Sequence, residues 1–125
     1  MIPEQVLAEL EGDLVVTRGF EQNLILFPAH AWRELAGKLL ARPISNREVR
    51  ALRRRLFSAA VEVSPDKNGR VILPASLREF AGINGELVLA GMGDYAELWS
   101  VEEWLPLLES VTENSNSERW NDIGI

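Results

Sequence analysis

The chain has 125 residues, no cysteine and a formal net charge of −6. This length predicts one compact domain, and the lack of cysteine excludes disulfides, thiolate metal sites and thiol nucleophiles. No apolar run is long enough for a membrane span and no signal-peptide pattern opens the chain, so we expect a cytoplasmic protein. The charge is uneven, because residues 42–78 carry nine basic and three acidic side chains, a local balance of +6. A basic middle between acidic flanks is typical of a phosphate-binding face.

The first predicted elements are two strands and a helix, within residues 14–40. The helix runs from Pro28 to Leu40 and carries four apolar residues on one side: Trp32, Leu35, Leu39 and Leu40. His30, near its start, is the only histidine of the chain. Without cysteine or a second histidine, a structural role for His30 is favoured over metal binding.

A second helix is predicted over residues 46–57, after the break at Arg42-Pro43. Ser45 or Asn46 is the expected N-cap. Its apolar stripe consists of Val49, Leu52 and Leu56. Four arginines lie on or near the polar face: Arg47, Arg50, Arg54 and Arg55. They form either a solvated helix surface or a second phosphate-contacting or inter-subunit surface, and both interpretations stay open here.

The central stretch, residues 61–78, predicts a hairpin and a short helix. Val61 and Val63 alternate with polar residues, as in a strand with one buried face. Asn68-Gly69 predicts a tight turn with positive φ at both residues. Val71–Leu73 is the expected return strand, and a helix should run from Pro74 to a C-cap at Gly82.

The hairpin turn holds the candidate DNA-binding residues. Arg70 follows the turn, and its planar guanidinium can bind phosphate, or guanine O6 and N7, through two hydrogen bonds. Asp66 is predicted to position Arg70, because a carboxylate is repelled by phosphate. Lys67 and Asn68 are candidate DNA-backbone contacts, and Gly69 is required by the turn. The alternative is that Arg70 merely pairs with Asp66 as a structural ion pair.

The strand–turn–strand–helix pattern of residues 14–40 recurs at residues 87–110. In both copies an aromatic pair is five residues apart: Phe27 with Trp32, and Trp99 with Trp104. Two copies are too few for a solenoid, so a single domain with pseudo-two-fold symmetry is expected.

Three segments together resemble the MraZ family: Asp-Lys-Asn-Gly-Arg at 66–70 with its following residues, residues 88–99 and residues 18–28. This family comprises bacterial DNA-binding regulators encoded at the head of the division and cell-wall gene cluster, with a fold related to AbrB. The resemblance implies an α+β fold, an AbrB-like pseudo-two-fold β-barrel of two repeats with short helices. It also implies a nucleoid-associated, ring-like homo-oligomer that binds double-stranded DNA at promoter direct repeats and regulates transcription.

The same resemblance predicts the domain organisation. One domain is expected over residues 1–111, with an incomplete first repeat (1–40), a connecting helix (41–58) and a second repeat (59–111); residues 112–125 form a polar tail. Ile2-Pro3 aligns with Leu73-Pro74, so the first strand and the first DxxxR turn have no counterpart here. We therefore expect an unpaired strand edge, and a version with the full first repeat should be more stable and bind DNA more tightly.

Other function classes are disfavoured. Gly91–Asp94 fits a hairpin turn better than a phosphate-binding loop, and no serine lies in a nucleophile elbow. We expect no enzymatic activity, no cofactor, no metal and no small-molecule substrate. The alternative function is an AbrB-like protein-interaction or antitoxin-type assembly module without an operator of its own.

Overall fold

The structure is a computed structural model that describes residues 13–113, and the side chains of residues 13–109. The strands in this part of the chain are β1 (Leu14–Arg18), β2 (Leu24–Pro28), β3 (Val61–Val63), β4 (Leu87–Gly91) and β5 (Ala96–Ser100). The helices are α1 (Ala29–Leu40), α2 (Arg47–Leu56), α3 (Ala75–Ala81) and α4 (Val101–Glu113). None of these helices combines the length and apolar character needed to cross a membrane.

The strands form one antiparallel sheet in the order β3-β1-β2-β5-β4. The predicted α+β class is confirmed. Within the described residues the sheet is open rather than closed into a barrel, with β3 and β4 at its edges.

A pseudo-two-fold axis relates the two halves of the sheet. The β2–β5 register is Leu24 with Leu98, Ile25 with Glu97, and Leu26 with Ala96. Phe27 and Trp99 are 72 residues apart. An offset of 72 residues relates Leu24 to Ala96 and Leu26 to Leu98, so the Leu24–Leu98 pair is the symmetry equivalent of the Leu26–Ala96 pair. The same offset relates Ile25 to Glu97, so the axis passes through that pair.

The aromatic pairs predicted from the repeat occupy equivalent places beside this axis. Phe27 contacts Trp32 with ring centroids 5.7 Å apart, and Trp99 contacts Trp104 at 6.3 Å. The interplanar angles, 49° and 50°, are nearly the same. Each pair fastens a helix, α1 or α4, to the strand that precedes it. The predicted internal repeat is therefore present in three dimensions.

One face of the sheet packs on α3. Its fully buried residues are Leu14, Val16, Leu24 and Leu26, and they share a cluster with Leu77 and Ala81 of α3. Burying each leucine contributes about 1.5–3 kcal/mol. The predicted helix after Pro74 is confirmed, and Gly82 ends it in the left-handed conformation with φ 68°.

The opposite face packs on α1 and α2. Leu39, Val49 and Leu56 are buried between these two helices, against Trp32, Leu35 and Phe57. Asn46 caps α2 as predicted, by accepting hydrogen bonds from the N–H groups of Glu48 and Val49. The prediction was wrong for Leu40, which is 58% exposed. Leu40 is rotated about 100° around the helix from the buried Leu39 and so points away from the sheet.

The two outer edges of the sheet differ. Leu14 of β1 is 0% exposed, whereas its counterpart Leu87 of β4 is 36% exposed. β3 pairs with β1, while no described strand pairs with the outer edge of β4. Within residues 13–113, β4 is thus an edge strand with no described neighbour on its outer side. The expectations for Ile2-Pro3 and for residues 114–125 lie outside the described residues, and α4 runs through Thr112, where the polar tail was expected to begin.

Thr17 joins α2 to the sheet. Its hydroxyl donates to the carbonyl of Leu56 at 2.6 Å, and its side chain is fully buried. Leu56 ends α2, so this carbonyl has no partner within the helix.

We predict that Thr17→Val lowers the free energy of unfolding by about 1–3 kcal/mol, because it leaves the Leu56 carbonyl buried without a donor. Urea denaturation at matched protein concentration measures this loss. Thr17→Ser is the control, since it keeps the hydroxyl, and it should lose less. A Thr17→Val variant as stable as the wild type would show that water can replace this hydrogen bond.

Candidate nucleic-acid interface

The segment after β3 folds back as a tight loop, residues 66–70, here called the Arg70 loop. The N–H of Asp66 donates to the carbonyl of Arg70 at 2.9 Å, and the N–H of Gly69 donates to the carbonyl of Asp66 at 2.9 Å. These bonds enclose three residues, Lys67 to Gly69.

The turn type differs from the prediction. Gly69 has φ 75°, but no described residue other than glycine has positive φ, so Asn68 is not left-handed. Lys67 and Asn68 are therefore the central turn residues, and Gly69 is the left-handed residue that follows them, as in three-residue hairpin loops. The predicted Asn68-Gly69 centre was wrong by one position. The glycine is still required, because an L side chain is strained at this φ.

The carboxylate of Asp66 closes the loop from inside. Its Oδ1 accepts hydrogen bonds from the N–H of Asn68 at 2.8 Å and from the N–H of Arg70 at 2.9 Å. Asp66 thus holds Arg70 at both its N–H and its carbonyl. It acts through the backbone of Arg70, and no ion pair joins the two side chains in the described structure. These two hydrogen bonds, that from Arg70 first, lower the pKa of the Asp66 carboxyl below its ordinary 3.8.

Three side chains project from the loop into solvent: Lys67, Asn68 and Arg70. Within the described residues none of them makes a side-chain hydrogen bond or an ion pair. Their donors are available to a ligand. The backbone that carries them is held by the four bonds of Asp66.

The chain that leaves the loop is not the strand we expected. Val71–Leu73 pairs with no described strand, and Ile72 is 88% exposed. β3 pairs with β1, and the backbone bonding between the two arms of the predicted hairpin stops at Asp66 and Arg70. Val-Ile-Leu has the composition of a strand, but a strand also needs a partner backbone. Pro74 then begins α3, whose Leu77 anchors this arm to the core.

The four arginines predicted on or near the polar face of α2 divide into two groups; the fifth arginine of the helix, Arg53, donates to the carbonyl of Leu40. Arg50 donates to the carbonyls of Ile44 and Ser45, and Arg55 donates to those of Gly19 and Glu21. Arg47 and Arg54 are exposed, and their side chains have no partner in the described structure. No hydrogen bond or ion pair joins these four arginines to the Arg70 loop within residues 13–113.

Arg18 is a structural arginine that sequence reasoning missed. Its guanidinium donates to the carbonyls of Arg54 and Arg55 at the end of α2. Arg18 and Arg55 both lie over the ring of Phe80, at 6.0 and 5.5 Å from its centroid. Arg18 and Arg55 therefore fasten β1, α2 and α3 together. The sequence offers no local signal for this arrangement, because the partners are 36 and 37 positions apart.

No metal site is apparent in the part of the chain that the structure describes, where no three His, Asp or Glu side chains lie close enough to hold an ion. His30 is exposed in the first turn of α1.

We predict that Gly69→Val lowers both stability and ligand binding by the Arg70 loop, because a β-branched residue is strained at φ 75°. Asn68→Ala is the control for stability, since Asn68 is not left-handed and its side chain makes no bond in the described structure. It is not a control for binding, because Asn68 is itself a candidate DNA contact. Thermal denaturation should separate the two variants. A melting temperature unchanged by Gly69→Val would contradict the turn geometry described here.

The lowered pKa of Asp66 predicts a pH dependence of the loop. A carboxyl with a folded pKa below its unfolded value stabilises the loop above pH 3.8, and this contribution is lost as pH falls through the folded pKa. The amide signals of Asn68 and Arg70 should therefore shift together in an NMR titration, with a midpoint below 3.8. Asp66→Asn should abolish the transition. A midpoint at or above 3.8 would show that the carboxylate does not accept these bonds.

Comparison with known proteins places this chain in a family. The sequence model of the family described as "MraZ protein, putative antitoxin-like" matches the chain twice, at residues 1–55 and 56–122. A protein of Herpetosiphon aurantiacus named "Transcriptional regulator MraZ" is 43% identical over 91% of this chain and 80% of its own length. Proteins of the same name from Roseiflexus castenholzii and Clostridium acetobutylicum are each 38% identical, over 92% and 100% of this chain and 80% and 89% of theirs. The chain therefore belongs to the MraZ family, which has an AbrB-like fold.

Proposed function

We propose that this chain is a DNA-binding transcriptional regulator that acts on short direct repeats in a promoter through its Arg70 loop. The observation that carries the proposal is the loop itself, where Asp66 holds the backbone of Arg70 on both sides. The guanidinium is exposed and makes no hydrogen bond or ion pair within the described residues. The names of the relatives, "Transcriptional regulator MraZ", support it.

Geometry favours a DNA contact by Arg70 over a structural role. A structural arginine in this chain binds carbonyl groups, as Arg18 and Arg55 do. Arg70 binds none in the described structure. Because its backbone is already held, little conformational entropy is lost when its guanidinium binds phosphate or a guanine edge. Lys67 and Asn68, on the same tip, are the proposed phosphate contacts, and Asp66 is the positioning residue.

The free arginines of α2 are a possible second contact. Arg47 and Arg54 lie on the face of α2 opposite the core-facing Val49 and Leu56, and both arginines are exposed. Arg50 and Arg55 are also charged, but some of their N–H donors are already hydrogen-bonded to backbone carbonyls. We therefore assign any phosphate contact of α2 to Arg47 and Arg54 first, with Arg50 and Arg55 adding long-range attraction.

A single loop cannot supply the affinity of a specific regulator. One bidentate base contact contributes about 1–3 kcal/mol of discrimination, whereas a specific Kd of about 10 nM corresponds to about 11 kcal/mol. Several loops must act together on adjacent repeats, which is the reason we propose a homo-oligomer, ring-like as the family resemblance implies. Within the described residues no strand pairs with the outer edge of β4, where Leu87 is 36% exposed, and we propose this edge as a surface for such contacts. Cytoplasmic, nucleoid-associated residence and action on the division and cell-wall gene cluster belong to the same proposal.

A protein-interaction role is the second candidate, because the family description includes the term antitoxin-like. The same free arginines would then bind an acidic protein surface. DNA binding releases condensed counterions, so its affinity should fall with salt by a slope set by the number of phosphates neutralised. Binding titrations at several salt concentrations, with the promoter duplex and with a composition-matched unrelated duplex, separate the two candidates.

We predict that Arg70→Ala weakens binding to the duplex upstream of its own coding sequence by about 1–3 kcal/mol per engaged subunit. The melting temperature should barely change, because the Arg70 side chain has no bond within the described protein. Fluorescence anisotropy with a labelled duplex measures the affinity.

Arg33→Ala is the matched control. Arg33 is exposed on α1 and has no partner in the described structure, so the variant loses the same charge at a place remote in sequence from the loop. It should bind nearly as the wild type does. Equal affinities of wild type and Arg70→Ala would refute the assignment of the loop.

A further inference from the structure

Asp13 and Ser64 meet at the point where the Arg70 loop leaves the sheet. The Ser64 hydroxyl donates to Oδ1 of Asp13 at 2.8 Å, across 51 positions of sequence. Leu14 and Val63 are the last ladder pair between β1 and β3. Asp13 and Ser64 are therefore the next opposed residues in the same antiparallel register, and their side chains extend the pairing one step toward the loop.

Asp13 is itself anchored. Its carbonyl accepts the N–H of Ala29 at 2.9 Å, at the start of α1, and it adjoins the fully buried Leu14. On the other side Ser64 is followed by Pro65, which has no N–H to continue the ladder. A side-chain bond thus takes over where backbone pairing ends.

No other side-chain hydrogen bond in residues 64–73 reaches outside that segment to the rest of the described chain. The remaining bonds of the Arg70 loop are internal to it. The internal bonds fix the shape of the loop, but they do not fix its direction relative to the sheet. The Asp13–Ser64 bond, between two exposed residues, does this at the β3 stem. On the other arm Val71 and Leu73 pack against the core cluster, and α3 follows.

We infer that Asp13 and Ser64 are positioning residues for DNA binding, which hold the Arg70 loop in the orientation that presents Arg70. This inference rests on the proposed function and deepens it. It adds two residues outside the Arg70 loop, Ser64 at the end of β3 and Asp13 beside β1, to the proposed loop site.

The negative charge of Asp13 allows a positioning role to be distinguished from a purely electrostatic effect. A carboxylate near a DNA-binding loop repels phosphate, so removing the charge of Asp13 should by itself strengthen binding. A positioning role predicts the opposite sign, a weaker complex. Glu62 supplies the matched control, since it is an exposed acid on β3 whose side chain has no hydrogen bond or ion pair in the described structure.

The experiment measures the affinity of the full chain for the labelled upstream duplex at one salt concentration, with a scrambled duplex for comparison. Asp13→Ala and Ser64→Ala should each weaken binding about two- to tenfold, the range of one net hydrogen bond. Asp13→Asn keeps the acceptor but removes the negative charge, so it should bind as tightly as the wild type or more tightly. Ser64→Thr keeps the hydroxyl and should bind as the wild type does. Glu62→Ala should bind as tightly or more tightly.

A double variant tests whether the effect passes through Arg70. If Asp13 acts by orienting the Arg70 loop, the loss in the double variant Asp13→Ala with Arg70→Ala should be smaller than the sum of the two single losses. Any remaining effect of Asp13→Ala would come from Lys67 and Asn68 on the same loop. Additive losses would overturn the inference, as would wild-type or tighter binding by both Asp13→Ala and Ser64→Ala. Should Asp13→Ala fail to fold, the pair Ser64→Ala and Ser64→Thr decides by the same criterion.

The failure of the inference is distinguishable from that of the proposed function. If Arg70→Ala weakens binding while the Asp13 and Ser64 variants do not, only the positioning role falls. If Arg70→Ala itself has no effect, the proposed loop function falls, and the positioning role falls with it.

Discussion

The antiparallel pairing of β2 with β5 is the interaction on which the rest of the structure depends. It joins the two repeats across the pseudo-two-fold axis at Ile25 and Glu97. The pairing places both apolar strand faces in register, so that α3 covers one face while α1 and α2 cover the other. Every other described element is held to one of these two strands or to its hairpin partner, and so is the stem from which the Arg70 loop projects.

The two halves of the sheet are similar but differ at their outer edges, and the difference involves the strand that leads into the Arg70 loop. Phe27–Trp32 and Trp99–Trp104 are nearly equivalent, but β1 has a neighbour on its outer side and β4 has none in the described chain. β3 continues into the Arg70 loop, so the neighbour that protects Leu14 is also the strand that carries the proposed DNA contact. Stability of the β1 edge and presentation of Arg70 are thus linked through one short strand.

The arginines illustrate how one residue type serves two purposes. Arg18 and Arg55 donate to backbone carbonyls and stack on Phe80, which joins the end of α2 to the sheet. These arginines have a structural role, since their side-chain donors are already hydrogen-bonded to backbone carbonyls. Arg70 differs because only its backbone is bonded, through Asp66. The guanidinium groups of Arg18 and Arg55 therefore stabilise the fold, whereas that of Arg70 remains available to a ligand. The two roles are told apart by whether the side chain is exposed and whether its donors are already hydrogen-bonded.

The sequence by itself determined the α+β class, the repeat, the helices and the left-handed end at Gly82, because these follow from apolar periodicity and short-range hydrogen bonding. It limited the N-cap of α2 to Ser45 or Asn46, and the structure selects Asn46. It also placed Asp66 and Arg70 on one turn, since they are four residues apart. Only the tertiary structure decided the centre of that turn, the absence of a strand at Val71–Leu73 and the division of the arginines. Each of these depends on partners that are distant in sequence or on competition between bonds within one loop. The Asp13–Ser64 pair spans 51 positions, and no local pattern encodes it, because its register is fixed by the pairing of β1 with β3.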